Sequence, residues 1–247
     1  MTTHVFIGPT LPAAEVRARL PDAIVAGPVA AGDVLRLARR RGVARIAIVD
    51  GYFERMAAVW HKELLVALAR GIEVWGAASM GALRAAELAP FGMIGVGAVY
   101  RAFRRGALES SPARGALQAD DEVAVAHLPA EYGYRTASDA LVNLRDGIAA
   151  APGLSARTRA ALVELARVRF YRERSWDRLI ADGRAAGLPA RQLAALAAWP
   201  KPDRKAADAR LLLARLARGR PSPPPPLQVP RTWALRQLER LMTVSRR

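Results

Sequence analysis

The chain has 247 residues, 52% of them hydrophobic, and 38 lysines and arginines against 22 acids give a net charge of +16. That length buries a full core as one large domain, or as one domain with an appendage. Cysteine is absent, which excludes disulfides, thiolate metal sites and cysteine nucleophiles. With no signal peptide visible and no apolar run of bilayer-spanning length, a soluble cytoplasmic protein is expected.

Val5-Phe6-Ile7 followed by Gly8-Pro9-Thr10 reads as a buried strand ending in a turn, with a helix next over residues 13–20. Asp33 is placed as the N-cap of a helix running to Arg41. Residues 45–51 carry a continuous apolar run, the pattern of a strand buried on both faces. A helix is predicted over residues 54–70 with Gly71 closing it, then a strand over 72–75 and a helix over 82–88. This alternation predicts an α/β fold: a mostly parallel sheet with helices on both faces. Beyond Gly92 helices are expected up to Arg104 and over residues 137–149, and residues 155–218 read as helical throughout. Residues 219–230 form a proline-rich extended linker. Trp233, Leu235, Leu238, Leu241 and Met242 give the terminal helix an apolar face for docking on this chain or on a partner. The resulting division is a core over 1–150, a basic helical region over 151–218, the linker, and a terminal helix within 231–247.

Charge follows that division. Residues 1–150 hold 17 basic and 15 acidic side chains, whereas residues 151–247 hold 21 and 7. The second part favours an acidic partner, protein or nucleic acid. Few aromatics are interleaved with its arginines for base stacking, which ranks nucleic acid last.

Lysine is scarce: only Lys62, Lys201 and Lys205 occur, beside 35 arginines. Arginine stays protonated, while a buried lysine readily loses its proton and serves as a base. Downstream of Lys62, Trp75-Gly76-Ala77-Ala78-Ser79-Met80-Gly81-Ala82 places a serine among small residues where a strand turns into a helix. That is the setting of a nucleophile elbow, although Ala77 stands where Gly-x-Ser-x-Gly has its first glycine. Free N–H groups of the following helix suit an oxyanion. His61, His127 and Lys62 are the candidate bases, His4 being assigned to a frayed terminus. The plain alternative makes Lys62 a solvated helix residue and Ser79 an N-cap.

Asp120, Asp121, Glu122 and His127 raise the possibility of a divalent metal, against an acidic loop with a helix cap. Asn143, Arg84 and Glu87 put polar groups on apolar helices, for an ion-pair network or a carboxylate ligand.

The blocks Gly8-Pro9-Thr10-Leu11, Asp50-Gly51-Tyr52-Phe53, Trp60-His61-Lys62-Glu63, residues 76–88, residues 92–97, residues 120–124 and His127 together resemble the TfuA-like protein family over roughly residues 5–150. The resemblance implies a partner of YcaO enzymes in thioamidation of a ribosomal precursor peptide. Such a protein is expected to be a serine hydrolase that releases sulfide from the thiocarboxylate of a ThiS-like sulfur carrier, without cofactor or metal. It implies Ser79 as nucleophile and Lys62 as base. Gly76, Met80, Gly81 and Thr10 then serve the oxyanion or the carrier tail, in a slot to which Gly95 and Gly97 also contribute. His61, Glu63, Arg84, Asp121, Glu122, His127 and Asn143 are supporting polar residues. The rival readings are a non-catalytic adaptor that brings the peptide to YcaO, and a metal hydrolase.

Overall fold

The computed structural model describes residues 1–52, 56–106, 119–220 and 222–244, and of residues 119, 120 and 241–244 the backbone alone. Phe53 and the side chains of Asp120, Leu241 and Met242 therefore lie outside the described residues. The elements in order are β1 (Thr2–Phe6), α1 (Ala13–Arg19), β2 (Ile24–Ala26), α2 (Asp33–Ala38), β3 (Val43–Ile48), α3 (His61–Ala69), β4 (Glu73–Ala77), α4 (Met80–Leu88), β5 (Ile94–Val96) and α5 (Gly97–Arg104). After these come α6 (Leu141–Ala150), α7 (Ala156–Val168), α8 (Trp176–Ala185), α9 (Ala190–Ala198), α10 (Arg204–Arg218) and α11 (Trp233–Val244). The five strands form one parallel sheet in the order β2-β1-β3-β4-β5.

The predicted α/β architecture is the observed one, and alternation along β3 shows why. Ile46 and Ile48 face a layer made by Leu37 of α2, Leu64 and Leu68 of α3, and Met80 and Leu83 of α4. Ala47 and Val49 face the other way, towards Val16 of α1 and Ala209, Leu212, Leu213 and Leu216 of α10. A strand covered on both faces has no polar side, so its sequence is a continuous apolar run. Helices α6 to α9 pack a separate layer around Leu144, Ile148, Leu162, Trp176, Leu179 and Leu193. Helix α11 docks on this chain, where Leu235 and Leu238 meet Leu35 and Val66.

Several boundaries differ from expectation. The helix expected over residues 54–70 spans only His61–Ala69, because the buried Glu63 carboxylate accepts the Trp60 N–H at 3.1 Å and fixes the first turn there. Asp33 is the first residue of α2 and Gly32 caps it; the Asp33 carboxylate turns back to accept the Ala30 N–H at 2.8 Å. β2 and β5, three residues each and on the sheet edges, are strands that the sequence pattern does not predict. The helix expected from residue 137 starts at Leu141. His4 belongs to β1 and is buried, so it is no frayed terminus.

The boundary at residue 150 does not coincide with a break in packing, since α10 closes the second face of the sheet. Asp208 of α10 also accepts the Val99 N–H at 2.7 Å, fastening α5 to it. Among the described residues no helix is long and apolar enough to cross a membrane.

Candidate functional site

Ser79 stands at the end of β4, where the backbone is forced through an unfavourable turn. Ala78 has φ 65°, and the Ser79 N–H donates to the Ala77 carbonyl at 2.7 Å across it, a three-residue γ-turn. A left-handed conformation at a residue with a Cβ costs about 1–3 kcal/mol and persists where the surroundings hold it. Here the surroundings are two glycines. A Cβ on Gly76 would lie 2.0 Å from the Gly81 carbonyl oxygen, and one on Gly81 would lie 1.8 Å from that of Ile48. Their absence lets the first turn of α4 sit directly on β3 and β4.

Ser79 occupies the N-cap position of α4, yet its hydroxyl makes no capping hydrogen bond. The Gly81 N–H goes to the Val49 carbonyl and the Ala82 N–H to the Ser79 carbonyl. Among the described residues the Met80 N–H has no acceptor, so it remains a donor beside the Ser79 hydroxyl.

Ser79 opens into a cavity of about 50 Å³ whose walls include Pro9, Asp50, Gly51, Tyr52, Val125 and His127. Pro9, Asp50 and Ser79 follow β1, β3 and β4 respectively. The cavity thus lies at the carboxyl ends of the strands, where the chain order reverses between β1 and β3, the usual ligand crevice of an open parallel sheet. Asp50 holds that crevice together. One carboxylate oxygen accepts the Gly8 and Thr10 N–H groups at 2.9 and 3.0 Å, and the other the Thr10 hydroxyl at 2.6 Å.

His127 enters the same cavity from the loop before α6. The short contact of its Nδ1 with the Leu128 carbonyl, 2.8 Å, requires a proton on Nδ1, so in the neutral ring the lone pair is on Nε2. Its ring packs against Tyr52 and Tyr134. Burial, with the hydrogen bond to Tyr134, pushes the Tyr52 hydroxyl up to about 12, so Tyr52 stays protonated at neutral pH.

The other expected residues go elsewhere. Gly76 and Gly81 pack helix on sheet, while Gly95 faces Tyr100 and Gly97 faces Asp208, so the glycines do not line a slot. The Met80 side chain is buried against Gly51. Thr10 is held by Asp50 beside the cavity. His61 binds Glu87 at 2.8 Å on an exposed edge. Burial alone would raise Glu87, but His61 and Arg84 together carry it below the usual carboxylate range. Arg84 also donates to the Val59 carbonyl. Glu63 accepts backbone N–H groups from Gly32 and Leu35 as well as Trp60, tying α2 to α3; burial nevertheless pushes its carboxyl up.

Lys62 is partly buried in the first turn of α3 and is absent from the cavity wall. The His61–Glu87 contact explains this: Glu87 lies about 12 Å along α4 from Ser79 at 1.5 Å per residue. Helix α3 therefore opens beside the far half of α4, away from the elbow.

The acidic segment forms a short 3-10 turn over Ala119–Glu122 and is neutralised by arginines. Asp121 binds Arg174 at 2.5 Å and Glu122 binds Arg145 at 2.7 Å, and burial pushes the Glu122 carboxyl up despite that partner. Among the described residues no group of three His, Asp or Glu side chains is arranged to hold a metal. Asn143 lies in a neighbouring chamber, where it donates to Asp203 and accepts the Lys205 N–H. Sequence reasoning missed Asp50, whose signal is a carboxylate ending a buried apolar strand, and Lys205, which shared the scarcity that singled out Lys62.

A search of curated proteins finds no match to this chain. A family model described as TfuA-like protein matches residues 50–175, a span that takes in Asp50, the elbow at Ser79 and His127, and the chain belongs to that family.

Proposed function

We propose that the protein is a serine hydrolase that releases sulfide from the thiocarboxylated terminus of a ThiS-like carrier, for use by a YcaO enzyme that thioamidates a ribosomal peptide. The observation that carries this reading is the Ser79 hydroxyl, which caps nothing and stands on a strained elbow, opening into the cavity that His127 also lines. In this reading Ser79 Oγ attacks the thiocarboxylate carbon and His127 Nε2 takes the hydroxyl proton. The Met80 N–H faces the developing oxyanion. Collapse breaks the carbon–sulfur bond, and the proton held by His127 leaves with the sulfide as HS⁻. Water, activated by the same imidazole, then cleaves the acyl-serine to a carboxylate. A cavity of about 50 Å³ suits the narrow end of a chain rather than a bulky acyl group.

The family resemblance gives the base role to Lys62, whereas the cavity favours His127. Sulfide release from a thiocarboxylated carrier by the wild type, Ser79→Ala, His127→Gln and Lys62→Arg separates them. Loss in Ser79→Ala and His127→Gln with turnover retained in Lys62→Arg is expected. Loss in Lys62→Arg with turnover retained in His127→Gln returns the base to Lys62. Activity in Ser79→Ala removes the hydrolase reading and leaves the adaptor.

A further inference from the structure

Lys205 is the last of the chain's three lysines and the one that is fully buried, 3% exposed, at the start of α10. Its ammonium donates to the Val123 carbonyl at 2.9 Å. Val123 begins the irregular stretch that continues through Val125 and Ala126 to His127, and all four residues line the Ser79 cavity. Behind that wall is a second chamber of about 50 Å³ containing Thr10, Asn143, Asp203 and Lys205, which shares Pro9 and Val125 with the first. Apolar packing holds the same stretch, with Val123 buried among Ala82, Val99, Ala140 and Val142. Further along, the Ala126 N–H donates to Ser138 Oγ at 2.8 Å, the Ala126 carbonyl accepts the Ala137 N–H at 2.8 Å, and an isolated bridge pairs His127 with Thr136. Lys205 adds the charged hydrogen bond at the Val123 end.

We infer that Lys205 is a positioning residue for the Ser79 site, holding the Val123–His127 wall so that the imidazole keeps one tautomer and one orientation. The site would then be completed by a helix that lies outside the span matched by the family model. A buried ammonium is costly without compensation, and its surroundings supply some. Asp50, at the end of β3, and Asp203, just before α10, both favour the charged form. Burial is the larger influence and pushes the ammonium below the ordinary lysine range. A site that needed only a filler would take an apolar side chain at lower cost.

This inference rests on the reading of His127 as the base, and its test is chosen to separate the two. The imidazole ¹⁵N spectrum reports directly which ring nitrogen carries the proton, with or without turnover. In the wild type a single His127 Nδ1–H form is expected. In Lys205→Met, folded by thermal melt, both tautomers are expected, with kcat reduced on the order of 10²-fold, as for a misplaced reacting group, and KM for the carrier little changed. Because the chain has no cysteine, Lys205→Cys offers a second variant: alkylation with 2-bromoethylamine before refolding restores an ammonium of near-native length. The single tautomer and kcat should return with it. A single Nδ1–H form and wild-type kcat in folded Lys205→Met overturn the inference, as does failure of the alkylated protein to differ from the unmodified one. If the wild type releases no sulfide, the hydrolase reading fails while the tautomer measurement still decides the role of Lys205.

Discussion

At Ser79 the capping role and the chemical role make opposite predictions. A serine whose hydroxyl caps a helix costs about 1 kcal/mol when replaced by alanine. The Ser79 hydroxyl caps nothing, so Ser79→Ala should unfold within about 0.5 kcal/mol of the wild type in a denaturant titration, the range of substitutions that break no contact. A loss of 1 kcal/mol or more would favour the cap. His4 gives a second residue-scale expectation. Burial, with Arg40 nearby, holds its pKa below the usual value of 6.5. The unfolded chain then binds the proton more readily, so stability is fully present above pH 6.5 and falls as the pH drops through the folded-state value. In His4→Gln that part of the acid-induced loss should disappear from thermal melts between pH 7 and 5. The sequence singled out Ser79 correctly as the turn residue between β4 and α4, because small neighbours are a local signal. It also directed attention to lysine, but scarcity carries no spatial information. Only the long-range packing of α10 shows that Lys205, and not Lys62, stands behind the cavity wall.

The elements are positioned by a few buried polar contacts that local patterns do not reveal. The start of α3 depends on Glu63, whose two oxygens accept three backbone N–H groups from two segments. Apolar spacing extends upstream of residue 61, so periodicity alone overran the true boundary. Glu63→Gln would turn an amide N–H₂ towards backbone donors and should cost about 1–3 kcal/mol, the penalty of unsatisfied buried groups; equal stability would remove Glu63 as the fixing residue. The approach of α4 to the sheet is stricter. In Gly81→Ala the new methyl would meet the Ile48 carbonyl oxygen, which is backbone and has nowhere to go. A loss of about 3 kcal/mol or more is expected, at the upper end for overpacking. β2 and β5 escaped sequence reading because three residues give no measurable alternation, and their strand character comes from pairing with β1 and β4.

For the whole molecule, the strand order decides where the crevice lies. The reversal between β1 and β3 opens a crevice at their carboxyl ends, and the loops carrying Pro9, Asp50, Ser79 and His127 meet there. The alternation of strands and helices made the α/β class legible, whereas the contribution of α10 to the sheet was hidden by the change in composition near residue 150. A chain ending at Ala150 would bare the surface that Leu212, Leu213 and Leu216 cover, so it should show no cooperative melt. A chain ending at Gly219 loses only the linker and α11 and should melt cooperatively at a lower temperature. The strong positive charge of residues 151–247 gives a further expectation: KM for an acidic carrier should rise with salt, because exposed charges are screened beyond about 8 Å at physiological ionic strength. The central claim, that Ser79 accepts the acyl group, is tested most directly by mixing the protein with a thiocarboxylated carrier, quenching in acid and mapping the protein's peptides by mass spectrometry. The account predicts a carrier-derived acyl group on the peptide containing Ser79 and none in Ser79→Ala. Continued sulfide release with no acyl group on that peptide, or with one on another residue, would contradict it.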